Sequence, residues 1–189
     1  MPKNVVISPI QVRRHMLKDS VNTAKALSSI LYILDKLGGE WDMYATLKML
    51  YFAECKHITR YGRTITGDMI VAMKYGPVPS FCYDEVKPKI FGNKNFELKE
   101  ESIIKAKRKP FSLELFSESD FECLDEAIKE NKKLSFGDIK LKSHDRSYEK
   151  AIKEKGLNSK ISFYDIASAH GAKEGFLNYL KEQNETTDI

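Results

Sequence analysis

Five residues, Tyr75-Gly76-Pro77-Val78-Pro79, constrain this chain more than any other stretch in it. Each proline ring fixes its own φ and removes a backbone donor. Each also pushes the residue before it, Gly76 or Val78, out of the α region. No helix can run through this segment. The backbone is predicted to pass it as a stiff extended elbow, with the rest of the fold arranged around that link.

Upstream of the elbow the pattern is helical. Leu27, Ile30, Leu31, Leu34 and Leu37 recur at steps of three and four, which predicts a helix over Val21–Leu37. Gly38-Gly39 then stops it, since glycine adopts the left-handed cap conformation without a side-chain clash. A second helix is predicted over Met43–Arg60, capped by Asp42 and ended at Tyr61-Gly62. Its stripe is Leu47, Leu50, Tyr51, Glu54 and Ile58, with Glu54 the one charged member. The short link between the two helices implies an antiparallel hairpin at the centre of the core.

From Thr64 to Pro79 the helical period fails, and a short helix is expected from Ser80, with Asp84 and Glu85 near its start and Pro88 helping to end it. Phe96–Lys107 alternates apolar and charged residues and reads as a β-hairpin closed by Pro110. Helical signals then return. Ser119 with Glu122 has capping-box spacing ahead of Phe121, Leu124 and Ile128. Ser135 with Asp138, Ser147–Lys155, and Ser162 with Asp165 mark three more helices, and Phe176, Leu177 and Leu180 a last amphipathic turn or two. With no internal repeat or low-complexity linker, the reading is a mostly α-helical single domain with a small β element, α+β in class. Its parts are an N-terminal extension (1–20), the domain (21–182) and a flexible tail (183–189).

Composition narrows the setting. Of the 189 residues, 42% are hydrophobic and 31% charged, which fits a folded soluble protein rather than a disordered one. The net charge of +4 is spread along the chain, so no dedicated nucleic-acid arm is expected. Arg13-Arg14-His15 and Lys105–Lys109 are the densest basic spots, and the second reads as a strand edge protected by lysines. Three widely spaced cysteines, Cys55, Cys82 and Cys123, fit reduced thiols in the cytoplasm. Neither a signal peptide nor a membrane-spanning run is expected.

A search for chemistry returns little. Cys55 and His57 stand two apart on one helix and point to opposite sides. His15, His144 and His170 lack partners at zinc-ligand spacing. Gly62 to Gly67 lacks the Lys-Ser/Thr ending of a phosphate loop, and neighbouring His144 and Asp145 diverge on a helix, so His144 is read as a helix-start residue bonding to backbone. Ser119–Ser143 has the outline of a helix-turn-helix, but Phe136–Leu141 offers few groups able to read bases. The expectation is no catalytic residue, no metal and no cofactor.

More specific are Leu50-Tyr51-Phe52-Ala53, His57, Arg60-Tyr61-Gly62-Arg63-Thr64-Ile65-Thr66-Gly67-Asp68, and Val71-Ala72-Met73-Lys74 leading into the elbow and Ser80. Together they resemble the central signature of the Panacea, or SocA-like, domain. Ser143-His144 matches a later serine-histidine step, and Tyr148 takes a place where tryptophan is common. The resemblance spans roughly Thr23–His170. It implies a bacterial or phage-borne antitoxin, not an enzyme, that binds and neutralises a toxin encoded next to it. One branch resembles an adaptor that delivers its toxin to an ATP-dependent protease. A DNA-binding regulator of a phage or toxin–antitoxin locus is the alternative. Nucleic acid and membrane are not the expected partners.

Two readings of the signature stand side by side. Arg60, Tyr61, Arg63, Asp68, Tyr75, Pro77, Val78 and Pro79 could form a preorganised partner-binding platform, since arginine and aromatic anchors on a rigid support suit an interface. Equally, the glycines and prolines could serve to turn the chain under the helical hairpin, with Asp68 capping a helix or pairing with an arginine.

Overall fold

A computed structural model describes residues 21–87 and 93–187. The predicted 1–20 extension, Arg13-Arg14-His15 and Pro88 lie outside the described residues. Within them the chain is mostly helical with two small antiparallel sheets, an α+β fold.

The two periodic stretches fold as expected. Helix α1 spans Thr23–Lys36, and α2 spans Met43–Tyr61 with Asp42 accepting from the Ala45 amide at its start. Gly62 ends α2 at φ 73°, and a Cβ there would lie 3.3 Å from Phe176. Ile30, Leu31 and Leu34 of α1 and Leu47, Leu50 and Ile58 of α2 are all fully buried. Burial of each such side chain contributes about 2 kcal/mol. Helix α2 packs on α1 and on five later elements, so every residue from Thr46 to Cys55 is buried. An α-helix enclosed on all sides is ordinarily apolar all round. Here it carries Lys48 and Glu54 inside, with His57 just beyond.

The first sheet has strand order β1-β5-β4, with β1 at Glu40–Asp42, β4 at Phe96–Lys99 and β5 at Ile103–Ala106. The predicted Phe96–Lys107 hairpin is therefore present. The second sheet corrects the elbow. Ile70–Met73 (β2) and Gly76–Pro79 (β3) form a hairpin with Lys74 and Tyr75 in its turn, and Ser159–Lys160 (β6) pairs on the far side of β2. The extended backbone demanded by the prolines is there, but as an edge strand. Its register explains how two prolines fit. The Ser80 amide donates to the Met69 carbonyl at 2.9 Å, so hydrogen-bonded pairs fall at 69/80, 71/78 and 73/76. Pro77 and Pro79 occupy the alternate positions, where the missing N–H would point away from the ladder.

Helix α3 (Ser80–Val86) follows directly. Asp68 accepts from the Phe81 and Cys82 amides at 3.0 and 2.9 Å, which answers its first free donors. After a 3₁₀ turn at Leu113–Leu115 comes α4 (Glu118–Asn131). Its capping box is Ser117 with Asp120, two residues before the predicted Ser119 and Glu122. The reason is Lys25, whose Nζ lies 2.5 Å from a fully buried Asp120 oxygen and fixes Asp120 at the third helical position. Helices α5 (Phe136–Ser143), α6 (Arg146–Lys155), α7 (Phe163–Ala169) and α8 (Glu174–Thr187) complete the fold, with Ser135 and Ser162 capping as expected.

The Lys25–Asp120 pair ties α1 to α4, and removing one member strands the other charge in the interior. Asp120→Ala is expected to lower unfolding free energy by about 3–5 kcal/mol. Adding Lys25→Met should recover part of that loss, since it removes the stranded ammonium. Urea unfolding of the three proteins measures both effects.

Candidate functional site

Two stripes that carry most of the helix's buried polar side chains run down α2, each at steps of four and three residues. Tyr44, Lys48, Tyr51 and Cys55 form one, and Leu50, Glu54, His57 and Tyr61 the other, offset by six positions or about 120° around the helix. Each stripe faces a different part of the signature.

The Glu54 stripe organises the turn after α2. Glu54 is fully buried and accepts from the Ile65 amide at 2.6 Å, the Thr66 amide at 3.2 Å and the Thr66 hydroxyl at 2.5 Å. Burial pushes its carboxyl up to about 7 against the pull of those donors. His57 is equally enclosed, with Nδ1 2.8 Å from the Arg63 carbonyl and Nε2 3.2 Å from the Ser119 hydroxyl. Its Nε2 also lies 3.1 Å from Asp120 Oδ1, an oxygen with no hydrogen bond of its own. Burial lowers the His57 pKa. Here the second sequence reading, a structural turn with Asp68 as a cap, describes what these residues do.

The same end of α2 carries three of the sequence-predicted partner residues. Arg60 is bidentate on Glu126 and reaches Glu122 at 3.1 Å, while the Tyr61 hydroxyl lies 3.4 Å from Glu122. Arg63 approaches Asp120 Oδ1 at 3.6 Å. Their charges are thus answered within the molecule by α4.

The Lys48 stripe faces the hairpin. Lys48 is 2% exposed, and its Nζ donates to the Pro77 carbonyl at 2.7 Å. Burial lowers its ammonium to about 7, with the Lys140 charge adding to the effect and Asp145 opposing it. His144, the C-cap of α5 and the residue before the N-cap of α6, makes the expected bond to backbone, at Tyr75, and stacks on Tyr148 with centroids 4.4 Å apart, while its Nε2 is buried without a hydrogen bond. Burial and the Lys48 and Lys140 charges lower its pKa. The Tyr148 hydroxyl donates to Met73 at 3.0 Å, tying α6 to the hairpin. Gly76 has no substitute here: at φ 102°, a Cβ would sit 2.6 Å from Lys48 Nζ and 2.9 Å from the His144 ring.

One turn further along α2, Tyr51 donates to Asp145 Oδ2 at 2.5 Å. Asp145 is the N-cap of α6, its Oδ1 accepting from the Ser147 and Tyr148 amides and the Ser147 hydroxyl. His170 Nε2 reaches Oδ2 at 3.1 Å. Burial pushes the Asp145 carboxyl up, but the bonds from His170, Ser147 and Tyr51 outweigh it and hold the group down at about 2. Lys48, Tyr51, Asp145 and His170 were absent from the sequence-predicted site. Only the helical spacing of Lys48 and Tyr51 hinted that the two face the same way.

Above the buried lysine the surface is aromatic and basic. Tyr75, 50% exposed, lies 6.4 Å from Tyr44, which lies 6.0 Å from Phe136. Lys74 and Lys140 each sit over the Tyr75 ring, at 5.6 and 5.4 Å, and Leu141 next to Lys140 is 75% exposed. Tyr44 and Tyr61 are 17 residues apart on one helix, about 25 Å. The eight predicted residues therefore do not share one surface. Tyr75 lies at one end and Arg60, Tyr61 and Arg63 at the other, while Asp68, Pro77, Val78 and Pro79 are buried beneath.

The family model for the antitoxin SocA-like, Panacea domain matches residues 47–149, just over half of the chain and the part holding both stripes except Tyr44, together with the hairpin and His144. The chain belongs to this family of SocA-like antitoxins. Searches of curated proteins and of solved structures returned no match. Among the described residues no helix is long and apolar enough to cross a membrane.

The buried Lys48 predicts a pH signature. Its folded value near 7 lies below its ordinary 10.5. Between those values the unfolded chain holds a proton that the folded protein has shed, so raising pH stabilises the folded state. Wild type is expected to gain about 2 kcal/mol on Lys48→Met between pH 7 and 9. Urea midpoints at each pH test this, and parallel curves for the two proteins would refute it.

Proposed function

We propose that this protein neutralises a toxin encoded beside its own gene by binding it directly, through contact rather than catalysis. Membership of an antitoxin family is the observation that carries this reading. The face of Tyr44, Tyr75, Phe136 and Lys140 is the contact surface, because it sets the exposed rings of Tyr75 and Phe136, and the half-buried Tyr44, beside cations where the hairpin turn meets α2 and α5. Its lysines suit a partner presenting carboxylates around an apolar centre. The buried Gly76–Pro79 strand and Lys48 support this face from below. Arg60, Tyr61 and Arg63 take a lesser part, since the two arginines already pair with Glu122, Glu126 and Asp120 and the Tyr61 hydroxyl with Glu122. The DNA-binding alternative finds less support, with Lys142 of α5 committed to Asn131 and Phe52.

Co-expression with the adjacent open reading frame tests the reading. The neighbour alone is expected to arrest growth, and this chain to restore it and co-purify with it. Tyr75→Ala and Phe136→Ala should each weaken the complex about 10-fold or more, and Arg60→Ala should leave it nearly unchanged. A harmless neighbour would refute the antitoxin reading; loss of binding in Arg60→Ala alone would move the interface to the other end of α2. The toxin's half-life in the same cells separates simple blocking from delivery to an ATP-dependent protease.

A further inference from the structure

Cys55, Asp145 and His170 come from three different helices and were unconnected in the sequence, yet the fold brings one ligand atom of each within 4.8 Å of the other two. We propose that these residues bind a zinc ion, with the Cys55 Sγ, an Asp145 carboxylate oxygen and a His170 ring nitrogen as ligands.

The donor set selects the metal. A thiolate, an imidazole and a carboxylate together suit a borderline-soft divalent ion, whereas magnesium and calcium take oxygen alone. Two anionic ligands match the 2+ charge, so the bound site is neutral, which suits a position that runs from the buried Cys55 to the exposed His170. Tetrahedral bonds of about 2.0–2.3 Å place ligand atoms about 3.3–3.8 Å apart. The His170 Nε2 to Asp145 Oδ2 separation of 3.1 Å is already close to that spacing. Rotation of the Cys55 and His170 side chains supplies the remaining closure.

The scaffold holds the ligands as metal sites require. Asp145 is locked by three bonds to its Oδ1, which leaves Oδ2 turned toward Cys55 and His170. Tyr51, one turn before Cys55 on α2, donates to that same Oδ2 and serves as the positioning residue behind the ligand. Cys55 is fully buried and His170 partly exposed at the C-cap of α7, so the ion has an entry path from the His170 side. Three protein ligands leave a fourth position for water. Binding forms a zinc–sulfur bond and breaks the Cys55 S–H bond, and the released proton passes to solvent. His170 pairs with Asp145 and the Cys55 thiol is hydrogen-bonded to Tyr51, so zinc would exchange these contacts for ligand bonds.

The proposal is independent of the antitoxin reading and is tested on the purified full chain with metal alone. Cobalt(II) serves as the spectroscopic probe. One equivalent is expected to give tetrahedral d–d bands and a near-ultraviolet thiolate-to-cobalt band, both displaced by zinc. Cys55→Ser should abolish the thiolate band. His170→Gln should weaken zinc binding more than about 10-fold, as should Tyr51→Phe acting on the ligand's support. Cys123→Ser, a change to a cysteine on α4, should leave binding unaltered. Should Cys55→Ser fail to fold, the partly exposed His170→Gln carries the test. No thiolate band at one equivalent, a band that survives Cys55→Ser, or unchanged zinc affinity in His170→Gln would each overturn the assignment.

Discussion

The enclosure of α2 on every side governs this molecule. A surface helix leaves its charged residues to water, but α2 carries Lys48, Glu54 and His57 into the interior, where each needs an internal partner. Those partners lie in the loop after α2 and in the edge strand β3. Glu54 gathers the amides of Ile65 and Thr66, His57 the carbonyl of Arg63, and Lys48 the carbonyl of Pro77. The loop and the hairpin are in this sense templated by the helix beside them. Such networks hold their shape because a half-satisfied version costs more than an apolar core.

Much of this was legible in the sequence where the cause was local. The steps of three and four in α1 and α2 gave both helices, and the alternation at Phe96–Lys107 gave a hairpin. The prolines gave extended backbone, but not its pairing, because the partner β2 has no strong alternation and its register depends on Lys48 and Tyr148 from elsewhere. The Ser117 cap was displaced by two residues for a similar reason: the position of Asp120 is set by Lys25, far away in sequence. Glu54 stood out as the charged member of an apolar stripe. Lys48 did not, since a lysine on a helix ordinarily lies at the surface. Asp145 was set aside because its neighbour His144 diverges from it. Its true partners, Tyr51 and His170, arrive only through the packing of α7 on α2 and on α6.

The family signature is thus less a binding site than the framework of one. Asp68 and the Pro77–Pro79 strand do internal work, and Arg60 and Tyr61 knit α2 to α4. The groups exposed on that framework are few, foremost Tyr75 in a turn whose following residue must be glycine.

The edge strand β3 also limits how any partner can attach. A β-sheet edge invites another chain by presenting alternating donors and acceptors. Here both outward positions are prolines and offer no N–H, and the Pro77 carbonyl is already taken by Lys48. Strand addition along this side of the sheet has nothing to zip onto. A partner bound at this edge, as proposed, would have to be read through side chains rather than through a backbone pattern that any extended peptide could match.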